Sequence, residues 1–127
     1  MPGVVHFLDP YKYRSTFHRL NRDISEDEFC QDYLNHLEEV ILSEGPKTIA
    51  AVMIETVTGT NGIIIPPAGY LQGVRELCNR YELVTIADEV MSGFGRTGEW
   101  FAVNHWNVVP DIMTMAKGIT SAYAPFG

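Results

Sequence analysis

Apolar positions fall in two distinct rhythms along this chain. From Phe29 to Ile41 they recur at helical spacing, and Phe29, Tyr33, Leu34, Leu37, Val40 and Ile41 make one stripe with polar residues between them. Ser25 stands where an N-cap belongs, Glu28 completes a capping box, and Ile24 with Phe29 supplies a hydrophobic staple. Gly45-Pro46 ends the pattern. A second helix is predicted over about Ala68 to Tyr81, with Tyr70, Leu71, Val74, Leu77, Cys78 and Tyr81 on one side. Aromatic residues at this spacing read as core packing rather than as a binding face. The other rhythm is continuous. Ile49 to Ile54, Leu83 to Ala87 and Asp111 to Met115 are short, largely apolar runs between turn residues. Such runs suit strands covered on both faces.

The order is helix, strand, helix, strand, a short amphipathic piece around Trp100 to Trp106, and strand. This predicts an α/β architecture with two consecutive βαβ units after the first helix. Right-handed crossovers make the three strands parallel, with their carboxyl ends on one side. Ligands of open α/β sheets bind at those ends. Three chemically useful residues fall there: Glu55 after the first run, Asp88 after the second, and Lys117 after the third, followed at once by Gly118. Residues 1–24 carry no period and mix Pro10, Tyr11, Tyr13, Arg14, Phe17, His18 and Arg19. So long an irregular stretch is uncommon in a self-contained domain, so it is expected to lie on something outside the chain.

Composition narrows the function classes. The chain has 127 residues, one compact domain's worth, and a formal net charge of −7 that argues against a nucleic-acid surface. Cys30 and Cys78 both fall in predicted helices, with no metal-ligand spacing, which fits a reducing, cytoplasmic setting. The amino terminus has neither a basic region nor a long apolar region, and no apolar run approaches a membrane span. His6, His18, His36 and His105 have no metal spacing either.

An amine and a carboxylate at neighbouring strand ends suit one kind of chemistry in particular. A lysine attacks an aldehyde once burial or a nearby cation frees its lone pair. Pyridoxal 5′-phosphate (PLP), held by such a lysine as a Schiff base, acts as an electron sink, and a carboxylate beside its pyridine nitrogen keeps that nitrogen protonated. Taken singly, each residue has a plainer reading. Lys117 could be a solvated loop residue, Asp88 a cap, and Glu55 a turn former. Arg96, inside the glycine-punctuated loop Gly93 to Gly98, could bind an anion or simply face solvent.

The combined residues resemble a known family. Ile86-Ala87-Asp88-Glu89-Val90, then Gly93-Phe94-Gly95-Arg96-Thr97-Gly98, then Pro110-Asp111 and Ala116-Lys117-Gly118 are similar to the class III aminotransferases, the ω-aminotransferase group of fold type I PLP enzymes. The likeness is strong over residues 47–127 and looser over 1–46. It implies that Lys117 is the Schiff-base lysine and Asp88 the partner of the pyridine nitrogen. It also implies that Val90 packs on one face of the ring and that Glu55 lies near cofactor and substrate. Met91 occupies a place where some members carry a glutamine directed at the cofactor's phenolic oxygen, a contact that methionine cannot make. Thr120 to Pro125 looks most like members acting on ω-amino acids, taurine-like amines or β-alanine with pyruvate. The resemblance implies transamination from an amine to an oxo acid, in a homodimer. It also implies that residues 1–127 are part of a PLP-binding large domain, so that alone they bind PLP weakly and turn nothing over. The readings that stay open are an aminomutase or decarboxylase of the same family, a non-catalytic piece of the fold, and an unrelated flavodoxin-like binding domain.

Overall fold

The computed structural model describes residues 2–15, 17–18 and 23–127, and Arg19 of the aperiodic segment lies outside the described residues. Helix α1 spans Glu26–Glu44, strand β1 Ala51–Glu55, helix α2 Tyr70–Tyr81, strand β2 Val84–Asp88 and strand β3 Ile112–Thr114. The strands are parallel in the order β1-β2-β3. No helix among the described residues is long and apolar enough to cross a membrane.

Local chemistry sets the helix ends. The Ser25 hydroxyl accepts from the Glu28 amide and the Glu28 carboxylate accepts from the Ser25 amide, both at 3.2 Å, so the predicted capping box is formed. Glu26, Asp27 and Glu28 place negative charge on the first turn, against the positive end of the helix. Gly45 closes α1 at φ 88°, a left-handed conformation that costs glycine little. Helix α2 begins at Tyr70 rather than near Ala68, because Gly69 is left-handed at φ 84° and cannot continue a right-handed helix.

The core forms where the two helical stripes meet the sheet. Phe29, Tyr33, Leu37 and Ile41 of α1 pack with Leu71, Val74 and Leu77 of α2 and with Val52 of β1. The helices approach closely at Gly73, where an added Cβ would lie 2.3 Å from Leu34 Cδ1.

Within these 127 residues the strands are covered on one face. Val52, Thr85 and Ala87 are buried, whereas Met53 and Ile112 on the opposite face are 52% and 49% exposed. An all-apolar strand records that both faces tolerate burial, and both long helices have returned to the same side. Strand β3 is also shorter than predicted. The last hydrogen bond at its end runs from the Glu89 amide to the Thr114 carbonyl at 3.0 Å. Beyond it β2's chain has turned away, so the pairing stops. The aperiodic amino-terminal segment lies partly on this chain itself. Phe17 stacks edge-on to Tyr33 with ring centroids 5.3 Å apart, and the Ser15 hydroxyl accepts from Tyr33 at 3.2 Å.

Candidate functional site

The sheet register gathers the predicted acids. Glu55 pairs with Asp88 and Asp88 with Thr114. Residues paired in parallel register share a face, so Glu55, Asp88 and Thr114 leave the carboxyl edge of the sheet on its open side. A cleft of about 930 Å³ beside β1 is lined by both Glu55 and Asp88, together with residues 3–7 and the turn near Thr58.

Each acid is half committed. One Glu55 oxygen accepts the Gly59 amide at 2.8 Å, which is the turn-capping role its position allowed. One Asp88 oxygen accepts the Val90 amide at 2.9 Å, leaving the other oxygen without a hydrogen-bond partner among the described residues. Asp88 is half-buried and Glu55 exposed. Val90 and Met91 follow in the same turn. Met91 packs down on Gly59, where an added Cβ would lie 2.7 Å from Met91 Cγ, so glycine is what lets the β1 and β2 turns touch. The Thr114 hydroxyl is buried and has no partner among the described residues.

Lys117 is not at a strand tip. It lies three residues past Thr114, is exposed, and opens a 3₁₀ turn over Lys117–Ile119 with φ 45°. It does not line the cleft beside β1. The turn rests on Phe94, since an added Cβ at Gly118 would come within 2.6 Å of Phe94 Cβ. Among the described residues the Lys117 ammonium makes no ion pair. Downstream, the Thr120 hydroxyl donates to the Ala124 carbonyl at 2.8 Å, closing a turn that leaves Tyr123 fully displayed.

The Gly93 to Gly98 loop closes on itself. The Phe94 and Gly95 amides both donate to the Trp100 carbonyl, at 2.7 and 3.4 Å, and the Gly98 amide donates to Gly95. Those amides are therefore spent inside the loop rather than turned toward an anion, and Arg96 is exposed. The Pro110-Asp111 pair has a structural task. Asp111 accepts from Arg75 at 2.5 Å and from the Thr85 amide at 2.8 Å, fastening the start of β3 to α2 and β2. The Arg75 guanidinium, and after it the Thr85 amide, hold the Asp111 carboxyl below the usual carboxylate range.

Sequence reasoning missed Glu89. It is fully buried, yet its carboxylate accepts four hydrogen bonds, from Thr56 and Ser92 hydroxyls and from the Ala102 and Val103 amides. The available signal was alternation. If Asp88 leaves on the open face, the next residue turns toward the helix layer, where an acid needs dedicated donors.

The chain matches the family described as Aminotransferase class-III over residues 2–126. It is 48% identical over 128 residues to the taurine–pyruvate aminotransferase of Bilophila wadsworthia, an alignment covering 98% of this chain and 26% of that protein. It is 42% identical over 127 residues to the putrescine–pyruvate aminotransferase of Pseudomonas aeruginosa, covering 100% of this chain and 27% of the relative. The chain thus spans about a quarter of the length of these relatives. Among solved structures, the omega transaminase of Pseudomonas jessenii in complex with PMP superposes with a TM-score of 0.91 at 40% identity. The (S)-enantioselective omega-transaminase of Thermomicrobium roseum does so with 0.90 at 42%. Both superpositions cover 98% of this chain and 27% of the neighbour.

Proposed function

The chain belongs to the class III aminotransferases, and from that premise we propose that the protein carrying it moves an amino group from an amine or ω-amino acid to an oxo acid such as pyruvate, using pyridoxal 5′-phosphate attached at Lys117. The observation that carries this reading is the carboxyl edge of the sheet. There a half-used Asp88 carboxylate sits one strand from the chain exit that bears Lys117, a lysine with no ion pair among the described residues.

The residues fit the ring and aldehyde ends of the cofactor. Asp88 keeps one carboxylate oxygen uncommitted, Lys117 offers an amine with no counter-ion among the described residues, and the orphaned Thr114 hydroxyl lies beside Asp88. Val90 and Met91 would supply apolar surface, and Glu55 a second acid on the same face. When bound, the cofactor supplies an aldehyde for covalent attachment and a pyridinium that draws electrons from the substrate carbon. Asp88 would hold the proton on the ring nitrogen by charge pairing. The Val90 amide fixes Asp88's other oxygen, so the carboxylate is oriented before ligand arrives. Lys117 Nζ would take the proton from the substrate carbon that bears the amine and, as general acid, deliver it to the carbon at the cofactor's aldehyde end. The two related pyruvate aminotransferases support an oxo-acid acceptor of that kind. We further propose a cytoplasmic homodimer, in keeping with two buried free cysteines.

Borohydride reduction of the whole protein with PLP, followed by peptide mapping, tests the assignment. The label is expected on Lys117. The other lysines within residues 1–127 are Lys12, paired with Glu26 at 2.5 Å, and Lys47, in the turn after α1. Label on either of these and not on Lys117 would remove the proposed attachment point.

A further inference from the structure

Glu89 is the residue between the two proposed cofactor contacts, Asp88 and Val90, and its surroundings are unusually complete. The Oε1 atom accepts the Thr56 hydroxyl at 3.0 Å and the Val103 amide at 2.8 Å. The Oε2 atom accepts the Ser92 hydroxyl at 2.5 Å and the Ala102 amide at 3.1 Å. Each oxygen therefore has one hydroxyl that can swivel and one amide that cannot. Glu89 has no ion-pair partner among the described residues, so its charge is held by aimed dipoles alone. Its own amide binds the Thr114 carbonyl of β3, and its carbonyl accepts the Gly93 amide at 2.9 Å. An added Cβ at Gly93 would stand 2.8 Å from that carbonyl oxygen, which is why the chain carries glycine there. One residue thus joins the turn after β1, the end of β3, the glycine loop and the 3₁₀ turn over Ala102–Trp106.

A buried acid is a poor way to add stability, since an apolar side chain of similar volume serves as well or better. What four directed bonds add is orientation. We propose that Glu89 is a positioning residue, whose buried carboxylate fixes the two peptide units that set the directions of Asp88 and Val90 for the cofactor ring. The inference rests on the function proposed above. Glutamine at this position puts its NH₂ group against either the Ala102 or the Val103 amide, whichever way it turns, so one backbone donor loses its acceptor. Alanine at Ser92 or valine at Thr56 removes a single hydroxyl and leaves both amides bound.

The experiment compares Glu89→Gln, Ser92→Ala and Thr56→Val in the whole protein, with Ser25→Ala as a distant destabilised control. Three quantities are measured: amide hydrogen exchange at Ala102 and Val103 without cofactor, the dissociation constant for PLP, and the pH dependence of the bound cofactor's visible absorption. Glu89→Gln is expected to speed exchange at one or both amides and to weaken PLP binding about tenfold, the size of one lost charge-assisted hydrogen bond. Its absorption should also titrate at a different pH. Ser92→Ala and Thr56→Val should each weaken binding by about threefold, a fraction of that bond, with a smaller move in the same spectrum. Ser25→Ala should lower the melting temperature and leave binding and spectrum alone. Wild-type binding within twofold and a wild-type spectrum in all three site variants would overturn the inference. If Glu89→Gln does not fold, the two hydroxyl variants decide by the same criterion. A wild-type protein that does not hold PLP at Lys117 would instead refute the proposed function, and this inference with it.

Discussion

Asp88 divides its two carboxylate oxygens: one accepts the Val90 amide and one has no hydrogen-bond partner among the described residues. That division makes the proposed role separable from the fold. Asparagine at 88 keeps an oxygen for Val90, so the turn should persist, while the other arm becomes a neutral NH₂ group that cannot pair with a protonated ring nitrogen. Asp88→Asn is expected to leave the melting temperature nearly unchanged and to cut the transamination rate by about 10- to 100-fold. That range corresponds to a charge-assisted hydrogen bond of roughly 1.5–3 kcal/mol. Steady-state kinetics beside a thermal melt would check this, and an unaltered turnover number would remove Asp88 from the site. At this scale the sequence exposed Asp88 and Glu55 because each ends an apolar run. It did not expose Glu89, whose donors come from positions 56, 92, 102 and 103 and meet only once the chain is folded.

At the scale of elements, the two helices were legible because capping chemistry and apolar spacing are local. The buried side of α2, Tyr70, Leu71, Val74, Leu77 and Cys78, lies within the face its spacing predicts. The bounds of α2 and β3 differ from those their spacing predicts. Gly69 takes a left-handed conformation that delays α2, and β3 stops where its partner turns away. The capping box offers a direct measurement. Ser25→Ala removes the acceptor for the Glu28 amide at the start of the 19-residue α1. It should cost about 1 kcal/mol in urea unfolding with the cooperativity parameter unchanged. Because α1 carries much of the core, a loss confined to fraying, with no change in global stability, would show that the box is not coupled to the fold.

For the whole molecule, hydrogen bonds to charged carboxylates tie stability to pH. Glu28 lies below its ordinary value of 4.5 through the Ser25 hydroxyl and amide, and Glu38 through Tyr81 and then Arg80. Asp111 lies below its ordinary 3.8 through Arg75 and then the Thr85 amide. In each case the folded state favours the charged carboxylate, so the unfolded chain binds more protons. Their contribution is therefore complete above about pH 4.5, and it disappears as the pH falls through the depressed folded values. The urea midpoint should be flat from pH 7 to 5 as far as these groups are concerned, then fall. Asp111→Asn should flatten part of the descent, and an identical slope in that variant would mean the Arg75 pair does not contribute. Glu28 and Asp111 are exposed and Glu38 is half-buried, so screening by salt should shrink the effect, least at Glu38.

Sequence alone determined the parallel α/β order, the helix that Ser25 opens and the acids at the first two strand ends. All of these follow from spacing between near neighbours and from where apolar runs stop. Tertiary structure decided which face of the sheet these two helices cover, and it carried Lys117 past β3 onto a turn braced by Phe94. It also decided that the Phe94, Gly95 and Gly98 amides are spent on nearby carbonyls and that Glu89 finds four donors. The reason is that hydrogen bonds and packing between distant segments depend on how the chain crosses itself. A pattern of apolar and polar positions records which surfaces can be buried, and only the folded chain chooses the groups that meet there.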